Sequence, residues 1–206
     1  MSRLEHVLVL TLLLAMACDY FPLDKLGAAF GEPTVQTLTL DPKTSHIEIS
    51  ILKVASEHTA RVERFDATIE LLGLNLRRFE TTVHLSSLVT DNDTLTQDLW
   101  SAELLDIERF PTASFESTSV QEKLNGTATH ELLGEMLFHG VSQELRFPAR
   151  LKIQDRRLIG DVAIELDPRD FGIDSQIIDA ELEGQPITLT IHLEFPLTPS
   201  TTEKTP

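Results

Sequence analysis

Along most of this chain apolar and polar residues alternate with a period of two. Ile47, Ile49 and Ile51 alternate with His46, Glu48 and Ser50. Successive side chains on a strand point to opposite faces, so this pattern buries one face and leaves the other in water. Val35, Leu38 and Leu40 open an earlier strand that Asp41-Pro42 closes. Val62, Phe65, Ala67, Ile69 and Leu71 form a long run that turns at Gly73, and Phe79, Thr81, Val83 and Leu85 follow. Further on, Ser114–Val120 reads as a strand and Asn125-Gly126 as a tight turn. Thr127–Phe138 returns from that turn, with a bulge or bend expected at Gly134. Gly140 turns the chain into Glu144–Ile153, and Leu158, Gly160, Val162, Ile164 and Leu166 alternate again. The clearest alternation is the last: Ile187, Leu189, Ile191, Leu193 and Phe195.

One stretch breaks the period. Leu95, Leu99, Ala102 and Leu105 recur at three- and four-residue spacing, which predicts one face of a short helix. Thr90, Asp91 and Asn92 precede it as N-cap residues, whose short side-chain oxygens accept from unpaired backbone N–H groups. Phe110-Pro111 ends the segment, because proline offers no backbone donor and holds its predecessor extended. A lid-like helix thus interrupts a β-rich chain, with four strands ahead of it. Neither a βαβ rhythm nor a repeat is present.

The expected fold is all-β: one lipocalin-like antiparallel β-barrel of about eight strands with a short helical insertion. Closure removes the sheet edges, and about eight strands enclose either packed side chains or one small ligand. Strands of about 8–12 residues at roughly 3.3 Å each give a barrel about 26–40 Å long, a shape that suits a chain-like ligand. A solid and a hollow barrel carry the same inward faces, so both remain open at this level.

Three segments, in order, carry a resemblance: Ser86-Ser87-Leu88-Val89-Thr90-Asp91, Leu99-Trp100-Ser101-Ala102-Glu103-Leu104-Leu105-Asp106 and Phe110-Pro111-Thr112-Ala113-Ser114-Phe115-Glu116-Ser117-Thr118. Two more follow, Leu133-Gly134-Glu135-Met136-Leu137-Phe138-His139-Gly140-Val141-Ser142 and Asp167-Pro168-Arg169-Asp170-Phe171-Gly172-Ile173. Together they resemble the YceI-like family of lipid- and polyisoprenoid-binding proteins. The resemblance implies a barrel that holds an apolar chain such as a polyisoprenoid or isoprenoid quinone. The inward aliphatic and aromatic residues expected to line it are Ile49, Ile51, Phe65, Ile69, Val83, Phe115, Phe147, Ile164, Phe171 and Leu189.

Composition narrows the function classes. Among 206 residues, 33 are acidic and 17 basic, for a net charge of −16, so no basic stripe is available to neutralise the phosphates of a nucleic acid. Val7–Ala17 is apolar apart from Thr11, too short to span a bilayer, and ends in the small-x-small site Ala15-Met16-Ala17. Residues 1–17 are therefore expected to be a signal peptide, 18–33 a tether, 34–196 the barrel domain and 197–206 a disordered tail. The only cysteine, Cys18, follows the cleavage site and cannot form an internal disulfide. The segment resembles a bacterial lipoprotein signal, which implies a lipidated Cys18 and a periplasmic, membrane-tethered protein; a plain secretory signal cut at the same bond is the other reading.

Catalytic signals are weak. Asp91-Asn92-Asp93 opens like a calcium loop, but Thr96 and Ala102 occupy the positions that need glycine and glutamate. Helix capping explains it better. His84, His130, His139 and His192 lie on separate strands or turns without metal-ligand spacing, so no metal and no cofactor is expected. No nucleophile elbow or phosphate loop occurs. Arg169 is expected to pair with Asp170 or a neighbouring acid, and Phe171 and Ile173 to approach the barrel mouth. Trp100, on the lid, is either a core plug or a contact to a lipid headgroup. The resulting expectation is an exported, non-catalytic binding protein, with a homodimer allowed; the alternative is a side-chain-filled interaction barrel without ligand.

Overall fold

The computed structural model describes residues 34–52, 57–123, 126–173 and 186–197, without the side chains of residues 51, 52, 57 and 58. Every described element belongs to one unit, Val35–Pro206. Eleven strands rather than eight form one antiparallel sheet. They are β1 (Val35–Thr39), β2 (His46–Leu52), β3 (Glu57–Val62), β4 (Phe65–Leu72), β5 (Asn75–His84), β6 (Leu88–Thr90), β7 (Thr112–Glu122), β8 (His130–Phe138), β9 (Val141–Gln154), β10 (Arg157–Leu166) and β11 (Ile187–Pro196). Their order across the sheet is β1-β4-β5-β7-β8-β9-β10-β11-β2-β3-β6. The only α-helix among the described residues is α1 (Asp93–Trp100), between β6 and β7. None of the helices described is long and apolar enough to cross a membrane.

The extra strands arise from two interruptions of the pattern. Val62 and Phe65 are three residues apart, so they cannot share one unbroken strand face. The chain breaks at Glu63-Arg64, and the expected long run becomes β3 and β4. The break is held by hydrogen bonds: the Glu63 N–H donates to the Ser87 carbonyl (3.0 Å), and the Arg64 N–H to Ser87 Oγ (2.9 Å). The three-residue β6, too short to show a period, pairs with β3 through Ala60–Val62.

The sheet curls on itself as a half-barrel. Leu38 of β1 and Ala67, Ile69 and Leu71 of β4 share one buried cluster with Leu158 of β10 and Leu193 and Phe195 of β11, strands far apart in the sheet order. The chain leaving β1 ties the two sides together, as the Asp41 N–H donates to the Glu194 carbonyl at 2.8 Å and the Leu40 N–H to the Ala67 carbonyl at 3.1 Å. A second layer contains Phe115, Leu132, Phe147 and Ala149, with Phe79 shared between this layer and the first. The Phe115 ring lies 6.0 Å from Phe79 and 5.1 Å from Phe147. A third cluster, linked to the second through Met136 and Leu145, gathers Leu85, Leu105, Ala113, Phe138, Leu166, Phe171 and Ile173. The interior is thus packed solid through two layers, and its character changes at the third.

On the outer face, β10, β11 and β2 align Asp161, His192 and His46 across the ladder. The His192 ring stacks on His46 at 5.0 Å, with Nδ1 2.6 Å from an Asp161 carboxylate oxygen and Nε2 3.3 Å from one of Glu194. Arg157 donates from one nitrogen to both Asp41 and Glu194, at 2.9 and 3.1 Å. Burial pulls the His192 imidazole down, but its hydrogen bonds to Asp161 and Glu194 more than reverse this and leave its pKa raised above 6.5. A raised folded-state value stabilises the fold below the unfolded value, and that contribution is lost as pH rises through the folded value. His192→Gln should therefore cost stability at pH 6 and little at high pH, by no more than about 1 kcal/mol for a partly exposed pair. Melting curves of both proteins from pH 5.5 to 9 check this; a constant offset across the range would contradict it.

Candidate functional site

The open end of the barrel contains a cavity of about 590 Å³. Its walls come from strand positions of a single phase: Ile47 and Ile49 of β2, Ala60 and Val62 of β3, Val83 of β5, Ala113 of β7, Met136 and Phe138 of β8, Leu166 of β10, and Ile187 and Leu189 of β11. Leu85 lines it from the short turn after β5, Leu88 from the start of β6, and Pro168 and Ile173 from the turn after β10. Met136 also packs on the phenylalanine layer, which forms the floor. The volume falls within the ~300–1,000 Å³ usual for small-molecule sites.

The remaining wall is the lid. Leu95 and Leu99 of α1 and Leu104 and Leu105 of the turns after it face the cavity, together with the polar residues of its described lining, Asp98, Ser101 and Glu103. The helix starts at Asn92, whose side-chain oxygen accepts from the N–H groups of Thr94 (2.8 Å) and Leu95 (3.2 Å). It ends at Trp100, earlier than the sequence spacing predicts: Ala102 is exposed, and Leu105 reaches the interior from a turn whose N–H donates to the Leu99 carbonyl at 3.1 Å. Trp100 lies outside the cavity lining. Its Nε1–H donates to the Leu88 carbonyl at 3.0 Å, which latches the helix to β6 beside the cavity. At the other end of the insertion, the Phe110 ring packs on His139 at 4.5 Å. Asn92→Ala removes the acceptor for two helix N–H groups and should cost about 1 kcal/mol. In a domain of this size that lowers Tm by about 2–4 °C, measurable by circular dichroism.

The 3-10 turn Pro168–Phe171 closes one side. The Asp167 carboxylate accepts from the Arg169 N–H (3.0 Å) and from its guanidinium (2.7–3.0 Å), so Arg169 pairs with a neighbouring acid, as the sequence suggests. The Arg169 side chain holds the Asp167 carboxyl below the usual carboxylate range. Gly172 completes the turn at φ 75°, a left-handed conformation that favours glycine. This geometry drives Phe171, 1% exposed, into the interior against Phe138 at 5.3 Å, and places Ile173 in the cavity wall.

Of the ten residues expected to line a ligand site, Ile49, Val83 and Leu189 stand in the cavity wall. The side chain of Ile51 lies outside the described residues. Phe65 and Ile69 pack in the cluster at the closed end, Phe115, Phe147 and Ile164 in the phenylalanine layer, and Phe171 behind Phe138. Alternation reveals which face a residue occupies and nothing about its height in the barrel. The lid leucines and the small residues Ala60 and Ala113 went unremarked in the sequence as lining; the three-four spacing of Leu95 and Leu99 was the signal that could have included the lid. Among the described residues, no group of three or more histidine, cysteine, aspartate or glutamate side chains is placed to hold a metal ion. Cys18, like the rest of residues 1–33, lies outside the described residues.

A curled antiparallel sheet, solid at one end and open at the other around an apolar cavity under a short helix, defines a β-barrel pocket protein. The YceI-like domain model matches residues 38–195, and the chain belongs to that family. Solved structures share the fold. Burkholderia cenocepacia BcnA is 13% identical, with a TM-score of 0.69 over 75% of this chain and 98% of that one. A polyisoprenoid binding domain from Saccharophagus degradans, implicated in plant cell wall breakdown, is 12% identical, with a TM-score of 0.59 over 77% of this chain and 97% of that one. The Campylobacter jejuni YCEI protein is 17% identical, with a TM-score of 0.56 over 66% and 82% respectively. No curated protein is similar enough to count as a match.

Proposed function

We propose that this protein is an exported, non-catalytic carrier that holds the apolar chain of an isoprenoid-type lipid or quinone in the cavity beneath α1. The observation that carries this reading is the lining: an approximately 590 Å³ space walled by aliphatic residues, Met136 and Phe138, whose polar members among the described residues, Asp98, Ser101 and Glu103, all belong to the lid segment. Such a wall offers a hydrocarbon escape from water at roughly 25 cal/mol per Å² of apolar surface. A cavity formed in advance also spares the protein part of the ordering cost of binding. The ligand class draws support from the Saccharophagus degradans domain, which is described as polyisoprenoid binding. Export rests on the apolar Val7–Ala17 segment, and membrane tethering on Cys18 beside its cleavage site. A lipidated Cys18 would keep the barrel within a tether's length of the membrane that supplies its ligand.

Mass spectrometry tests the reading. The protein purified from a bacterial membrane-containing host should release one apolar lipid per chain on denaturation, and its intact mass should show acylation at Cys18. Protein that is folded, empty and indifferent to added isoprenoids would instead favour a ligand-free interaction barrel.

A further inference from the structure

The polar rim of the cavity is acidic. Asp98 and Glu103 both line it, and among the described residues no lysine, arginine or histidine does. Neither carboxylate takes part in a described salt bridge: the described arginines near this end are engaged elsewhere, Arg169 with Asp167 and Arg109 over the Phe110 ring. The rim also sits at the C-terminal end of α1, the negative end of the helix dipole, and the last turn has no basic residue to offset it. Ser101, the helix C-cap, adds a hydroxyl to the same lining. Both acids are exposed at the mouth while the cavity behind them is apolar, so a bound chain would leave its polar end beside these charges.

We infer that the cavity selects its ligand by head group, accepting an apolar chain whose polar end is uncharged and donates hydrogen bonds, or is cationic, and rejecting the same chain when it ends in phosphate or diphosphate. An alcohol, a phenol or an amine places its donors against the two carboxylates, with Ser101 Oγ as a further partner. A phosphorylated end brings two or more negative charges to the same rim and finds no cation among the described lining residues. The inference rests on the carrier reading and refines it.

Three probes with one chain separate the possibilities: geranylgeraniol, geranylgeranylamine and geranylgeranyl diphosphate. Binding is followed by the fluorescence of Trp100, the single tryptophan, whose neighbour Leu99 lines the cavity; isothermal titration gives a second readout. The alcohol and the amine should bind at least about tenfold more tightly than the diphosphate at low salt, and added salt should narrow the gap between amine and diphosphate as screening shortens the reach of the rim charges. The double variant Asp98→Asn/Glu103→Gln should narrow the gap between alcohol and diphosphate, because the amide carbonyls still accept from a hydroxyl but no longer repel the phosphates. Asp98→Lys/Glu103→Lys should invert the order. Equal or tighter binding of the diphosphate by the unaltered protein overturns the inference and leaves the carrier reading standing. Failure of all three probes to bind overturns both.

Discussion

Gly134→Ala should unfold a large fraction of the protein at temperatures where the parent is folded. A Cβ at this position would lie 2.2 Å from the Glu116 carbonyl oxygen, 2.6 Å from Phe115 Cζ and 2.8 Å from Ser117 Cα. Two of the three obstacles are backbone, so no rotamer change relieves them. Their closeness follows from the register between β7 and β8: Gly134 faces Ser117, Leu133 faces Ser119, and the intervening Thr118 is the extra residue of a bulge that brings β7 onto the glycine. The cost should be about 3 kcal/mol or more, at the upper end of overpacking changes. In a domain of this size it lowers Tm by about 6–12 °C. Shortening the aromatic neighbour with Phe115→Leu should not rescue the variant, because the carbonyl contact remains. A Gly134→Ala protein that melts within 2 °C of the parent would show that the strands separate here at little cost.

Filling the cavity should abolish lipid binding without harming the fold. Ala113 of β7 and Ala60 of β3 line it while being only 7% and 2% exposed, so larger side chains there would occupy space that a ligand needs. Ala113→Phe should lower affinity for an isoprenoid alcohol at least about tenfold, since each methylene displaced forfeits about 0.8 kcal/mol of burial. Its Tm without ligand should stay level or rise, as added contacts replace empty volume. Phe115→Asp is a poor test of the same idea. Phe115 packs between Phe79 and Phe147 rather than lining the cavity, so an aspartate there would bury an unpaired charge and lower stability first. Isothermal titration on the Ala113→Phe protein decides the matter, and unchanged affinity in the folded variant would place the ligand elsewhere.

Much of the architecture was legible because strand chemistry is local. The phase of Ile47 and Ile49, of Val83 and Leu85, and of Ile187 and Leu189 is readable from alternation alone, and in the structure each pair lines the cavity. Gly134 announced a disturbance in the ladder, though the bulge itself lies on the facing strand, opposite Ser117–Ser119. The count of strands fell short because β6 spans only three residues and the break at Glu63-Arg64 disturbs the period by a single residue. The helix was placed correctly at its start, where the Asn92 cap is a local hydrogen bond. Its end was misplaced, because what stops it after Trp100 is tertiary: a latch to Leu88 and turns that carry Leu104 and Leu105 to the interior.

By itself the sequence determined that this protein is an antiparallel β structure with one apolar face on each strand, an acidic exterior and one helical insertion. Those properties depend on side-chain period, charge and capping, which act over a few residues. Only the tertiary structure decided that the barrel is solid at one end and hollow at the other. The same inward phase serves Ile69 in the packed cluster and Ile49 in the cavity wall. What separates them is the curl of the sheet, which brings β1 and β4 against β10 and β11 to fill one end, while the lid spans the other and leaves room beneath it.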